Sequence, residues 1–190
     1  VLDWGREHRL GRLTDTQRSR VKLIESDVLE VSTDPVDVVG AFNFSYFIFN
    51  TREKMRSYFE SVRRSLKDDG VFFLDAFGGY EAFEEMKEKT KYSNFTYIWD
   101  QKHYYPVTGE MVCRIHFKFP DGSKMKNAFT YTWRLWTLPE IRELLAEAGF
   151  SRVTVYWEGE DDDGDGNGEF KPEDRGDADA GWITYITAEQ

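Results

Sequence analysis

The chain has 190 residues, 40% of them hydrophobic and 16% aromatic, which is enough apolar material for one domain with a packed core and excludes a disordered chain. Its formal net charge of −10 is concentrated: residues 158–179 hold eleven acids and two bases, leaving 24 acids and 23 bases for the rest. A near-neutral body without a basic stripe argues against nucleic acid or an anionic membrane as partner. No apolar run reaches the roughly 18 residues needed to span a bilayer, and no secretory signal opens the sequence. With Cys113 as its one cysteine the chain forms no internal disulfide, which suits a reducing, cytoplasmic setting.

In chain order, residues 2–13 read as a short helix with Leu2, Trp4, Leu10 and Leu13 as apolar positions. His8 sits on its polar stretch. Residues 21–24 (Val-Lys-Leu-Ile) form a short strand-like run. Residues 36–42 are apolar enough for a strand buried on both faces, as in parallel sheets. Met55, Tyr58, Phe59, Val62 and Leu66 follow the spacing of one buried helical stripe, with Asn50 and Glu53 as its predicted cap and Gly70 as its predicted end. Residues 71–76 are a third apolar strand. Strand, helix, strand with such apolar strands predicts an α/β domain built on a parallel sheet.

Residues 80–89 are predicted to be helical. The period then changes to two. Met111, Cys113, Ile115, Phe117 and Phe119 alternate with Val112, Arg114, His116 and Lys118. Asp121-Gly122 signals a hairpin, and Met125, Asn127, Phe129, Tyr131, Trp133 and Leu135 continue the alternation. With a strand around Phe95, Tyr97 and Trp99, residues 91–136 are predicted to be an antiparallel three-stranded insertion with one aromatic face. Thr137 and Glu140 form a capping box opening a helix whose stripe is Ile141, Leu144, Leu145 and Ala148. Residues 153–157 and 182–187 are strands, separated by an acidic loop at residues 158–181.

Four stretches together resemble the class I methyltransferase family. Residues 21–28 (VKLIESDV) resemble its third strand and the acid after it. Residues 36–46 (VDVVGAFNFSY) resemble its fourth strand and the loop facing the transferred methyl group. Residues 62–72 (VRRSLKDDGVF) resemble the helix, turn and fifth strand, and residues 144–150 (LLAEAGF) the helix leading to the sixth. The fold this implies is a Rossmann-like methyltransferase sheet, a single domain over residues 1–190. The family's glycine-rich loop and the acid ending its second strand have no counterpart here, so the chain is expected to be N-terminally incomplete.

The resemblance implies S-adenosylmethionine as cofactor and methyl transfer to a small molecule by in-line displacement. It implies that Asp27 accepts a hydrogen bond from the adenine amino group beside the Val28 backbone, and that Asn43, Phe44, Ser45 and Tyr46 line the methyl side. The glycines of Asp75-Ala76-Phe77-Gly78-Gly79 would permit close backbone approach by a ligand. In this family such an insertion often forms a lid or a dimer surface, so a homodimer through it is expected. Trp99, Tyr104, Tyr105, Arg134 and Trp136 are its candidate acceptor contacts. The catalytic group is undetermined from the sequence; His103 and Tyr46 are the candidates, and His116, flanked by Arg114 and Lys118, reads as solvated. Asp161, Asp163, Asp165 and Gly166 match the opening of a calcium loop, but the twelfth position is Pro172, so no metal is expected. Two other readings stay open: a non-catalytic α/β binding or assembly module, and a nicotinamide-dependent enzyme.

Overall fold

A computed structural model describes residues 1–161, 164 and 166–190. The chain divides into two compact units, Val1–Ser32 and Thr33–Gln190. The first holds a helix α1 (Leu2–His8), a 3₁₀ turn at Leu10–Arg12 and a short helix α2 (Asp15–Arg18). A capping box between Thr14 and Gln17 starts α2. The predicted helix over residues 2–13 therefore breaks at Arg9. Residues 21–24 form no strand, and Val21 and Ile24 are exposed. A four-residue run becomes a strand only when a neighbour completes its ladder, and no such pairing forms there.

The second unit is built on a five-stranded sheet of β1 (Val36–Ala41), β2 (Leu66–Gly78), β7 (Arg152–Glu160), β8 (Gly166–Pro172) and β9 (Trp182–Glu189), in the order β1-β2-β9-β7-β8. Among the described residues, only β1 and β2 pair in parallel; β9 runs antiparallel to both its neighbours, β2 and β7. The expectation of a parallel sheet thus holds for the first pair and gives way to a reversed last strand. β9 inserts between β2 and β7, although β7 precedes it in the chain. β1 is not buried on both faces: Val36 and Val38 are exposed.

Helices α3 (Arg52–Arg64) and α4 (Leu138–Glu147) cover this sheet. Met55, Tyr58, Phe59 and Val62 are buried along α3, and Ile141, Leu144 and Leu145 along α4. The Phe59 ring meets Phe72 of β2 at 6.0 Å, and Phe72 stacks on Phe150 at 6.1 Å. Burying each such side chain stabilises by about 1.5–3 kcal/mol. The cap of α3 is Thr51, whose hydroxyl accepts the Lys54 N–H, in place of the predicted Asn50. Nor does Gly70 end the helix. The helix stops at Arg64, and Gly70 lies inside β2, which already pairs with β1 at Leu66. Gln190 donates its side-chain amide to the carbonyls of Arg63 and Leu66, satisfying the end of α3 from the last residue of the chain.

A second sheet contains β3 (Lys87–Lys91), β4 (Thr96–Tyr105), β5 (Glu110–Lys118) and β6 (Lys124–Arg134), paired antiparallel in that order. It has four strands where three were predicted. Residues 80–89 are a 3₁₀ turn at Tyr80–Phe83 followed by β3, not a helix. The buried side chain of Gln101 explains the turn: its amide donates to the carbonyls of Glu81 and Glu84, taking the bonds a helix would use. Asp121-Gly122 makes the expected hairpin, with Gly122 at φ +86°. The stretch read as an acidic loop, residues 158–181, contains β8, which pairs with β7. No helix among the described residues is long and apolar enough to cross a membrane.

Candidate functional site

Where β1 ends, the chain takes two consecutive left-handed residues, Asn43 (φ +58°) and Phe44 (φ +54°). For side-chain-bearing residues each costs about 1–2 kcal/mol. The turn is held from the neighbouring strand. Asp75 of β2, only 7% exposed, accepts the Asn43 N–H on Oδ2 at 2.8 Å and the Phe44 N–H on Oδ1 at 2.9 Å. The Asp75 carbonyl also accepts, taking the Tyr46 hydroxyl at 2.6 Å. One residue thus clamps the loop through both its side chain and its backbone.

The clamp aims the Phe44 ring. It packs 4.7 Å from Phe77 and 6.3 Å from Trp133, where the two sheets of this unit meet. Phe44 is half-buried and lines a cavity of about 540 Å³ together with Trp99, Trp182, Glu81, Glu88 and Glu158. A larger cavity of about 780 Å³ shares Phe77, Gly78 and Trp182 with it and runs along α4 and residues 173–177. The shared strip sits at the carboxyl end of β2, where open α/β sheets bind ligands.

The structure separates the residues singled out in the sequence. Asn43 and Ser45 are exposed on the clamped turn, beside Phe44. Tyr46 is 1% exposed, and burial, then the nearby Asp75 and Tyr58, push its phenol well above its ordinary range; it is a core residue holding the loop rather than a proton donor or acceptor at a surface. Asp27 and Val28 lie in the first unit, both exposed. The Asp27 carboxylate accepts the Leu29 N–H at 2.9 Å, as a turn-forming aspartate does.

Among the candidate acceptor contacts, Trp99 lines the cavity next to Phe44. Tyr104 packs edge-on to Phe83, and Tyr105 is exposed beside His103, so these three lie outside both cavities. The His103 Nδ1 lies 3.0 Å from Glu85. Trp136 is 1% exposed with its Nε1 donating to the Phe49 carbonyl; its ring edges the larger cavity. Arg134 stacks 3.8 Å over Trp136 and pairs with Glu140 at 2.7 Å. That pair fixes the start of α4 and does not reach the smaller cavity.

His116 is not solvated as its neighbours implied. Its Nδ1 accepts the Asn127 N–H, so Nε2 carries the proton toward Asp100 at 3.0 Å. Gly78 and Gly79 do permit close approach, but by this chain: a Cβ on Gly79 would lie 2.3 Å from the Ala180 carbonyl oxygen, and one on Gly78 2.3 Å from the Trp182 ring. Of the calcium-like opening, Asp163 and Asp165 lie outside the described residues.

The sequence reading missed Asp75 as an anchor, although an acid ending an otherwise apolar strand was a usable signal. It also missed Glu81, Glu88 and Glu158. They come together from a 3₁₀ turn and strands of both sheets, a juxtaposition no local pattern encodes.

No family model matches this sequence, and no curated protein is similar to it at the level of sequence. Solved structures are similar in fold. An S-adenosylmethionine-dependent methyltransferase from Clostridium acetobutylicum ATCC 824 superposes with a TM-score of 0.63 at 16% identity, over 92% of this chain and 68% of that one. The CcbJ methyltransferase from Streptomyces caelestis gives 0.60 at 12% identity, over 86% of this chain and 61% of its own. The glycopeptide N-methyltransferase MtfA, solved with S-adenosylhomocysteine, gives 0.58 at 18% identity, over 100% and 68%. The chain therefore has the Rossmann-like class I methyltransferase fold, and it spans about two thirds of these proteins' length.

Proposed function

We propose that this chain is part of an S-adenosylmethionine-dependent methyltransferase acting on a small molecule. The observation that carries this reading is the clamped Asn43-Phe44 turn at the carboxyl end of β1, opening onto an aromatic-lined cavity between the two sheets of the second unit. The shared fold of the three methyltransferases supports it. The cofactor supplies a methyl group on a sulfonium, which is a cation as well as an alkyl donor. The residues present fit such a group: Phe44 offers a π face, and the polar residues Asn43 and Ser45 that flank it in the chain are exposed.

Asp27 and the Val28 backbone are assigned to the adenine by their place after the stretch that resembles the family's third strand. Phe44 and Trp99 wall the acceptor side, exclude water and orient the incoming nucleophile. Tyr46 and Asp75 position the loop without touching either ligand. Titration calorimetry of the full-length polypeptide carrying this sequence with S-adenosylhomocysteine tests the reading. Saturable binding, weakened roughly tenfold by Asp27→Ala, is expected for loss of one hydrogen bond of about 1–2 kcal/mol. Absence of binding would favour a non-catalytic module with this fold, and an unchanged affinity in Asp27→Ala would remove the adenine assignment alone.

A further inference from the structure

We propose that the smaller cavity selects a cationic amine, so that the methyl acceptor carries an ammonium group close to Phe44. This rests on the methyltransferase reading for its chemical meaning, but the charge selection itself stands on the cavity. Glu81, Glu88 and Glu158 line it, and none of its lining residues is Lys, Arg or His. No ion pair with Lys, Arg or His engages these three carboxylates among the described residues. Elsewhere in this unit acids are neutralised locally, as Asp100 of β4 is by Lys87 and Glu140 of α4 by Arg134. In this cavity three carboxylates come together with no ion-pair partner among the described residues.

The three groups are held from different directions. Glu81 sits on the 3₁₀ turn pinned by the Gln101 amide, which bonds the Glu81 carbonyl itself at 2.9 Å. Glu88 of β3 lies directly opposite Trp99 of β4 in the antiparallel ladder. Glu158 of β7 is half-buried and accepts the Gly168 N–H at 2.9 Å, which fixes its carboxylate without cancelling its charge. Aromatic faces complete the lining: Phe44 on one side, Trp99 and Trp182 on others. Carboxylates interleaved with aromatic rings attract an ammonium twice, by charge and by the ring quadrupole, and offer a neutral alcohol neither. A carboxylate there is also placed to accept the proton that an ammonium must shed before its nitrogen becomes nucleophilic.

The sulfonium of the cofactor is a second cation that the same charge could serve, and the test separates the two. Tryptophan fluorescence of the full-length polypeptide is titrated with benzylammonium and with benzyl alcohol, a neutral probe of similar shape. Benzylammonium is expected to bind about tenfold more tightly at low salt, with the preference shrinking as salt is raised. The single variants Glu81→Gln, Glu88→Gln and Glu158→Gln should each reduce it, and their combination should abolish it. Equal affinity for the two probes, binding of neither, or a preference that survives neutralisation and salt overturns the proposal. So does a result in which the variants erase discrimination between S-adenosylmethionine and S-adenosylhomocysteine while leaving the ammonium preference intact, since the charge would then serve the sulfonium. Failure of S-adenosylhomocysteine to bind, with ammonium selection preserved, would instead overturn the methyltransferase reading and leave a cation-binding module.

Discussion

The side chain of Asp75 accepts the backbone N–H of Phe44 at 2.9 Å across 31 positions of sequence, and does so from inside the sheet. Its second oxygen takes the Asn43 N–H. A carboxylate with 7% exposure is tolerated only where donors surround it, and a pair of left-handed non-glycine residues only where something compensates them. Each solves the other's problem. Asp75→Ala leaves two N–H groups unsatisfied and the turn unsupported, and should cost about 2–4 kcal/mol. Asp75→Asn keeps one acceptor and should cost less. Urea unfolding of the three proteins measures this; an alanine variant as stable as the wild type would show that the clamp does not hold the loop.

Gly79 and Gly122 both have positive φ, at +103° and +86°, but only one is crowded. A Cβ at Gly79 meets the backbone of Ala180 and Asp179, whereas nothing lies within 4 Å of one at Gly122. Gly122→Ala should therefore cost about 1 kcal/mol, the conformational term alone. Gly79→Ala should cost at least twice as much, because residues 179–180 must move and the Glu81 N–H bond to the Ala180 carbonyl moves with them. Comparable losses in thermal denaturation would contradict the crowding argument.

The two glycines also mark what the sequence could and could not convey. Strong local signals came through: the apolar stripes of α3 and α4, the Thr137–Glu140 capping box, the Asp121-Gly122 hairpin and the β1 and β2 cores all stand close to where periodicity put them. The misses share one cause, a distant partner that outweighs local preference. Residues 80–89 have a helical composition, yet the Gln101 side chain and the β4 edge recruit them into a turn and a strand. His116 alternates with charged neighbours and reads as solvent-facing, until a bulge at Asn127 turns a backbone N–H onto its ring. Phe44 was legible as a candidate because the loop resembles a family motif. Asp75, which makes that loop possible, was not, because its partners are 31 and 32 positions away.

Cys113 lies on β5 with no exposed surface, and burial, followed by the charge of Asp100, pushes its thiol up to about 12. At pH 8 only about one in ten thousand such thiols is ionised, and the thiolate is the reactive species. Native protein should therefore not react with a disulfide reagent over minutes, while urea-unfolded protein should react at the rate of a free thiol. The protection should fall in step with global unfolding, because β5 is central in its sheet. Rapid labelling under native conditions would mean that this sheet opens independently of the rest.

Asp100 stands on the face of β4 opposite to Trp99, nearly enclosed, with Lys87 Nζ at 3.1 Å and His116 Nε2 at 3.0 Å. Burial alone would raise its carboxyl. The hydrogen bonds from His116 and Lys87, reinforced by charge, outweigh that and hold it below the ordinary aspartate range. A carboxyl with a depressed folded-state pKa contributes stability that is fully present above its unfolded value, about 3.9, and is lost as pH falls through the folded value. The wild type should therefore exceed Asp100→Asn in stability by a constant margin from pH 7 to about 5, and the margin should narrow as pH falls below about 4. Urea unfolding of both proteins at pH 7, 5, 4 and 3 supplies the comparison. A margin that does not change with pH would mean that the asparagine variant loses only packing or hydrogen bonds, and that Asp100 is not held ionised by its partners. A margin that widens toward low pH would reverse the sign and require burial, rather than the Lys87 and His116 contacts, to govern this carboxyl.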